Sequence, residues 1–242
     1  MFIDIRSFFK RKKHMTSKFV LTEMHLALIG IDWLSERSYS EFLDINRALK
    51  NFFTEEPLLI PKSAKTPGNE LLLGFNSPLI TVSNREKQSK LIVNIDRLDF
   101  ISRVSSENDL DIFKQNSESL LKRYSVVNRI GIIATYIMET SEPEKWFADT
   151  IYLGAITGTS ENLIRYNIKS LYKEKFESNK IVQIQTAVKR SVSPETPAVS
   201  QIQIQNDINT PQNFILERGE ALNFFRDKIK MAKLNAGEEI LK

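Results

Sequence analysis

The sequence predicts an α+β fold, a tandem β-α-β-β-β-α duplication with mainly antiparallel sheets and helices packed on one face. Three observations carry that expectation. Runs of β-branched and aliphatic residues alternate with segments whose apolar side chains recur at helical spacing. Two of the helical segments start with Ser-x-x-Glu, the pattern in which side chains satisfy free amides at a helix N-terminus. The order of elements occurs twice, and matching features lie a near-constant distance apart.

In the first half, residues 18–33 read as a strand. Ser38 and Glu41 make the first capping box, and Phe42, Ile45, Leu49, Phe52 and Phe53 fall on one helical face behind it. Pro57, Pro61, Pro67 and Gly68 end that helix in a loop. Strands are predicted near 71–76, 79–83 and 90–97. A helix over about 107–123 follows, capped by Ser106, with Leu110, Phe113, Leu120 and Leu121 facing inward.

The second half repeats this order. Residues 126–139 read as a strand, and Ser141 with Glu144 makes a second capping box, with Pro143 in the first turn, where its missing N–H costs nothing. Trp146, Phe147, Ile151 and Leu153 would be that helix's apolar face. Strands are expected at about 163–177, 180–190 and 199–208, and a last helix near 218–235 with Leu222, Phe225, Ile229 and Ala232 inward. The two capping boxes are 103 residues apart. Asp96 and Asp207, like Phe113 and Phe224, are 111 apart. The expected division is a basic, disordered leader over 1–17, a first half over 18–124 and a second over 125–242. A ligand would be sought in the crevice between the halves.

Charge is concentrated at one end. Residues 1–14 hold five basic residues against Asp4, so they alone account for the formal +4, and the rest of the chain sums to zero. Phe2, Ile5, Phe8 and Phe9 add helical apolar spacing to this tail, the pattern of a small amphipathic anchor, against the simpler reading as a leader before Met15. No apolar run has the ~18–20 residues of a membrane span. The absence of cysteine fits a reducing, cytoplasmic setting and removes thiol chemistry.

The usual catalytic patterns fail in turn. The two histidines are His14, in the tail, and His25, within a strand, so there is no i,i+4 metal pair; GxSxG is absent, and the general base of a serine triad would have to be His25. Asp96, Asp99 and Asp207 are the candidates for a carboxylate-only Mg²⁺ site, against their reading as strand-end acids. No Asp or Glu has Lys two positions on, as a restriction-type nuclease strand requires, and both GxxxxGK[ST] and GxGxxG are missing. Gly154–Ser160 resembles a phosphate-cradling turn but joins a helix to a strand, so it reads as a helix end. No catalytic residue, metal or cofactor is expected.

The most informative surface lies in the second half. Over 163–176 one strand face reads Ile164, Tyr166, Ile168, Tyr172, Phe176, and the other Arg165, Asn167, Lys169, Lys173, Lys175. Gln183, Gln185 and Lys189 on the next strand, and Gln201, Gln203 and Gln205 on the third, extend the polar face. Segment 163–190 has seven basic residues against two acids. Arg165, Lys169, Lys173, Lys175 and Lys189 are therefore the candidate nucleic-acid-binding residues. The face lacks the aromatics on which single-strand binders stack bases, and a solvated antiparallel face has the same composition.

At Arg129-Ile-Gly-Ile-Ile-Ala-Thr-Tyr136, after the helix ending near Arg123-Tyr124, the sequence resembles an uncharacterised, sporadically distributed bacterial family of about this length. Asp207-Ile-Asn-Thr, Glu220-Ala-Leu-Asn and Asn235 resemble that family's closing strand and helix. Ala134-Thr135 stands where the family tends to have Arg or Tyr. The resemblance implies no activity; it implies an accessory role, as in a defence or mobile-element system. The function expected from the sequence is a non-catalytic binding or adaptor protein with a protein partner. The alternatives are a nucleic-acid-binding accessory protein and an enzyme whose carboxylates meet only in the fold. The sequence does not fix an oligomeric state.

Overall fold

A computed structural model describes residues 18–30, 39–59, 80–94, 97–150, 163–189 and 199–242. The leader, His14, Ser38, the strand expected at 71–76, Asp96, Ile151, Leu153 and the Gly154–Ser160 turn lie outside the described residues.

The first half runs β1 (Phe19–Ile29), α1 (Tyr39–Ala48), β2 (Leu58–Leu59), β3 (Ile80–Asn84), β4 (Ser89–Val93), β5 (Arg97–Arg103) and α2 (Glu107–Arg123). The second runs β6 (Val126–Val127), β7 (Arg129–Glu139), α3 (Pro143–Thr150), β8 (Leu163–Tyr172), β9 (Phe176–Lys189), β10 (Val199–Asn209), β11 (Leu216–Glu217), α4 (Arg218–Lys228) and β12 (Asn235–Ala236). The fold is α+β, as the sequence predicts. The strands form one ten-stranded antiparallel sheet in the order β2-β3-β4-β5-β1-β7-β10-β9-β8, with β12 beside the start of β1; β6 and β11 pair separately.

The order of the long strands reads the same outward from the β1–β7 seam. On one side lie β5, β4 and β3; on the other lie β10, β9 and β8. β1 and β7 are eleven residues each and start 110 residues apart, while α2 and α4 start 111 apart. Met24 pairs across the seam with Ala134, the residue 110 positions on.

Two expectations need correcting. The strand before α2 is 97–103 rather than 90–97, because Leu98, Phe100 and Ser102 alternate inward there and Asn94 N–H closes a turn onto the Arg97 carbonyl at 2.7 Å. The strand after 163 ends at Tyr172 instead of running to 177. Lys173 and Glu174 adopt φ of 46° and 57°, and Lys175 N–H donates to the Tyr172 carbonyl at 2.9 Å, so the chain reverses there.

Cross-strand partners share a face, so the registers sort every side chain. One face carries Leu26, Phe100, Ile132, Ile204 and Val182, all buried, and all four described helices pack on it. Phe113 of α2 stacks on Phe100 with ring centroids 5.3 Å apart, Phe53 after α1 meets the same ring, Trp146 of α3 meets Phe19, and Phe224 of α4 meets Tyr172. Ser106 caps α2 as expected, its side chain accepting from Asp109 N–H at 3.2 Å. Before α3 the hydroxyl that takes a free amide is that of Thr140, which accepts from Glu142 N–H at 3.2 Å. A capping box that composition alone did not reveal opens α4, built from Glu217 and Glu220. Arg226 of α4 grips Glu118 of α2 through two bonds of 2.8 and 2.6 Å, tying the helices of the two halves together.

Gly30 follows β1, and its φ of +60° is a left-handed conformation that a side chain resists. A Cβ there would also lie 2.4 Å from the Asn128 side chain. Gly30→Ala is expected to destabilise the protein by about 1–3 kcal/mol, read as a lower denaturation midpoint. An unchanged midpoint would mean that the turn relaxes freely.

Candidate functional site

The second sheet face carries no described helix. Across its centre the register places Lys90, Ile101, His25, Ile133, Asp207, Ile181 and Asn167 in one row. The next row reads Arg103, Glu23, Thr135, Gln205, Gln183 and Arg165. Gln201 and Gln203 on β10, with Gln185 on β9, extend the amide ladder, as sequence alternation predicts. A shallow depression of about 930 Å³ runs along Glu23, Arg103, Thr135 and the β10 glutamines Gln201, Gln203 and Gln205.

The five basic candidates do not all share that surface. Arg165 and Lys169 lie on it, and Lys169 is matched by Glu177 at 3.3 Å. Lys173 and Lys175 sit instead at the β8–β9 hairpin tip. Lys173 lies 5.4 Å from the centre of the Tyr172 ring, and Lys175 turns to the helix side, where it pairs with Glu220 of α4. The backbone of Lys189 pairs with Val199 at the end of β9; its side chain lies outside the described residues. Lys180, counted among the basic residues of this segment, points to the helix face and is buried. The face is thus mixed in charge, with Glu23, Asp99 and Asp207 among its cations.

Of the carboxylates considered for Mg²⁺, Asp99 is occupied by its own side-chain neighbours. His25 Nε2 lies 2.6 Å from its Oδ1, and the Arg97 guanidinium grips both oxygens at 2.8–2.9 Å. Burial opposes ionisation of Asp99, but the bonds from His25 and Arg97 outweigh it and hold the carboxyl below its ordinary range. Asp207 accepts from Asn209 at 3.0 Å. Among the described residues no group of three or more His, Asp or Glu side chains is placed to hold a metal ion. Nor does a described hydroxyl hydrogen-bond to His25 to complete a triad.

On the helix face a second feature lies over the seam: a cavity of about 290 Å³ between the sheet and the chain after α4. Its floor is Met24, Ile132, Ala134, Tyr136 and Ile208; its far wall includes Met231, Ala232 and Ile240. Among the described residues, Met24 is the sole lining residue from the first half. Three inward side chains from neighbouring strands hold the last described segment beside it. Tyr166 donates to the Leu241 carbonyl at 2.5 Å, Asn206 to that of Ile240 at 3.0 Å, and Lys180 to those of Ile240 and Lys242 at 2.9 and 2.6 Å. Burial alone pushes the Lys180 ammonium down to about 8 and the Tyr166 phenol up to about 12.

No family model matches the chain, and neither a curated protein nor a solved structure is detectably similar to it.

Proposed function

We propose that this chain is a non-catalytic binding protein that engages a protein partner across the open face of its sheet, in the reducing cytoplasm that its lack of cysteine favours. The observation behind the reading is the composition of that face. Half-buried isoleucines, Ile101, Ile133 and Ile181, alternate along the central row with His25 and Asp207, beside a row that carries the uncharged Thr135, Gln205 and Gln183. A mixture of apolar, uncharged polar and oppositely charged groups is the composition of a non-obligate protein–protein interface, which as a whole is about as apolar as the rest of a protein surface. Nucleic-acid surfaces are much more positively charged. The repeated element order supports an origin by duplication, with β1 and β7 as counterparts. The accessory role implied by the family resemblance agrees with a binding protein, and among the described residues no helix is long and apolar enough to cross a membrane.

The test is site-specific photocrosslinking in extract of the native cell. A crosslinker at Gln203 or Gln183 is expected to give one discrete protein adduct, and one at Gln115, exposed on α2, none. Ile181→Arg should lower adduct yield at least tenfold while leaving the unfolding midpoint within a few degrees. Equal adducts from Gln115 would remove the open face as the binding surface. A nuclease-sensitive adduct would assign the face to nucleic acid, the reading that Arg165 and Lys169 favour.

A further inference from the structure

The cavity over the seam holds two buried polar side chains with unspent hydrogen-bonding capacity. Lys180 and Asn206 are 7% and 6% exposed. Lys180 has three N–H groups and uses two of them on the carbonyls of Ile240 and Lys242. Asn206 donates to the same Ile240 oxygen, so the ammonium and the amide are neighbours, yet its Oδ1 has no partner. A buried amide oxygen without a donor keeps its desolvation penalty uncompensated. The cavity wall thus sets a cationic donor beside an amide whose buried oxygen lacks a donor, above a floor that is otherwise aliphatic.

We propose that this cavity binds a small hydroxy acid with an apolar body, its carboxylate on Lys180 and its adjacent hydroxyl donating to Asn206 Oδ1. The aliphatic floor of Met24, Ile132, Ala134 and Ile208 takes the apolar body. Lys228, Lys230 and Lys233 line the same cavity against the single acid Glu239, so the approach favours an anion. A volume of about 290 Å³ lies just below the range of ligand pockets, ~300–1,000 Å³, which limits the ligand to a phenyl- or leucine-sized acid. An amino acid is disfavoured because its own ammonium would face Lys180. The cavity lies on the opposite side of the sheet from the proposed partner surface, so either assignment survives the loss of the other.

The test titrates the full chain at neutral pH with mandelate, with phenylacetate, which lacks the hydroxyl, and with benzyl alcohol, which lacks the carboxylate. Calorimetry gives affinity, and amide chemical shifts give location. Mandelate should saturate one site and shift the amides of Ile132, Ala134, Asn206 and Ile240. Phenylacetate should bind about fivefold more weakly, the value of one hydrogen bond of roughly 1 kcal/mol, and benzyl alcohol more weakly still. Ala134→Met, which fills the floor without touching either polar group, should abolish binding; Lys180→Met should do the same if it leaves the chain folded. The proposal is overturned if mandelate gives no saturable binding, if its shifts fall elsewhere, if benzyl alcohol matches it, or if folded Ala134→Met binds unchanged. Inorganic phosphate competing as well as phenylacetate would also overturn it, since that would reduce the site to a general anion trap.

Discussion

Phe113→Ala is expected to lower the unfolding free energy of the whole chain by about 3–5 kcal/mol, the cost of deleting a fully buried ring whose cavity cannot collapse. The ring is fully buried in α2 and stacks nearly parallel on Phe100 of β5, with 9° between the planes. Phe224 in α4 is equally buried and packs against Tyr172 and Phe176. Phe224→Ala should therefore cost about as much. Each substitution should act on both halves at once, because β1 and β7 are joined from Val20–Ile137 to Ile29–Arg129 in one continuous sheet, and Arg226 bridges α4 to α2. Urea denaturation followed by circular dichroism and tryptophan fluorescence should show one transition in both variants, moved to lower denaturant. Two transitions, with only one displaced by Phe113→Ala, would show that the halves unfold independently and that the seam couples them weakly.

That coupling was only partly legible in the sequence. Alternation fixes which side chains on a strand share a face, so the Gln201, Gln203 and Gln205 series, Arg165 and Lys169 were placed together from the residues alone. Helical spacing did the same for Leu110, Phe113, Leu120 and Leu121. Alternation does not say where a strand stops, and the turn at Lys173–Glu174 has no glycine to announce it, although both residues are left-handed. Extending the strand through that turn put Lys173 and Lys175 on a face that they do not occupy. Strand order is non-local, so nothing in the spacing foretold that β1 and β7 would meet at the centre and merge two expected halves into one sheet.

The cavity over the seam had a signal that charge counting hid. Lys180 stands in phase with Ser178, Val182 and Ile184, and Asn206 in phase with Ile202, Ile204 and Ile208. A lysine or asparagine at an inward position in an aliphatic series is the informative exception, because burying a polar group is costly unless something pairs with it. A sum of charges over a segment carries no information on the phase of any one of them. The carbonyls that it meets are about 60 residues further along the chain, and only the fold brings them there.

The second large expectation follows from that lysine. Its folded pKa is about 8 against an ordinary value of 10.5, with burial as the cause. Below about pH 8 both the folded and the unfolded chain carry the proton, and the folded state bears the full cost of a buried ammonium. As pH rises from about 8 toward 10.5 the folded chain releases the proton while the unfolded chain keeps it, so stability rises with pH. A shift of this size is worth about 3 kcal/mol at its limit. Tyr166 works in the opposite sense: its pKa is raised to about 12, so above about pH 10 the unfolded chain loses a proton that the folded chain retains, and stability falls again. Tyr136 is raised by burial as well and adds to that decline. The other charged groups lining the cavity, Lys228, Lys230, Lys233 and Glu239, surround the same segment and are present in both proteins to be compared. Denaturation midpoints for the natural chain should therefore climb between about pH 8 and pH 10 and then turn down, whereas Lys180→Met should keep only the decline. The difference between the two curves isolates the lysine. Parallel curves would mean that water reaches the ammonium in the folded state and that the carbonyls of Ile240 and Lys242 are held by something other than a buried charge.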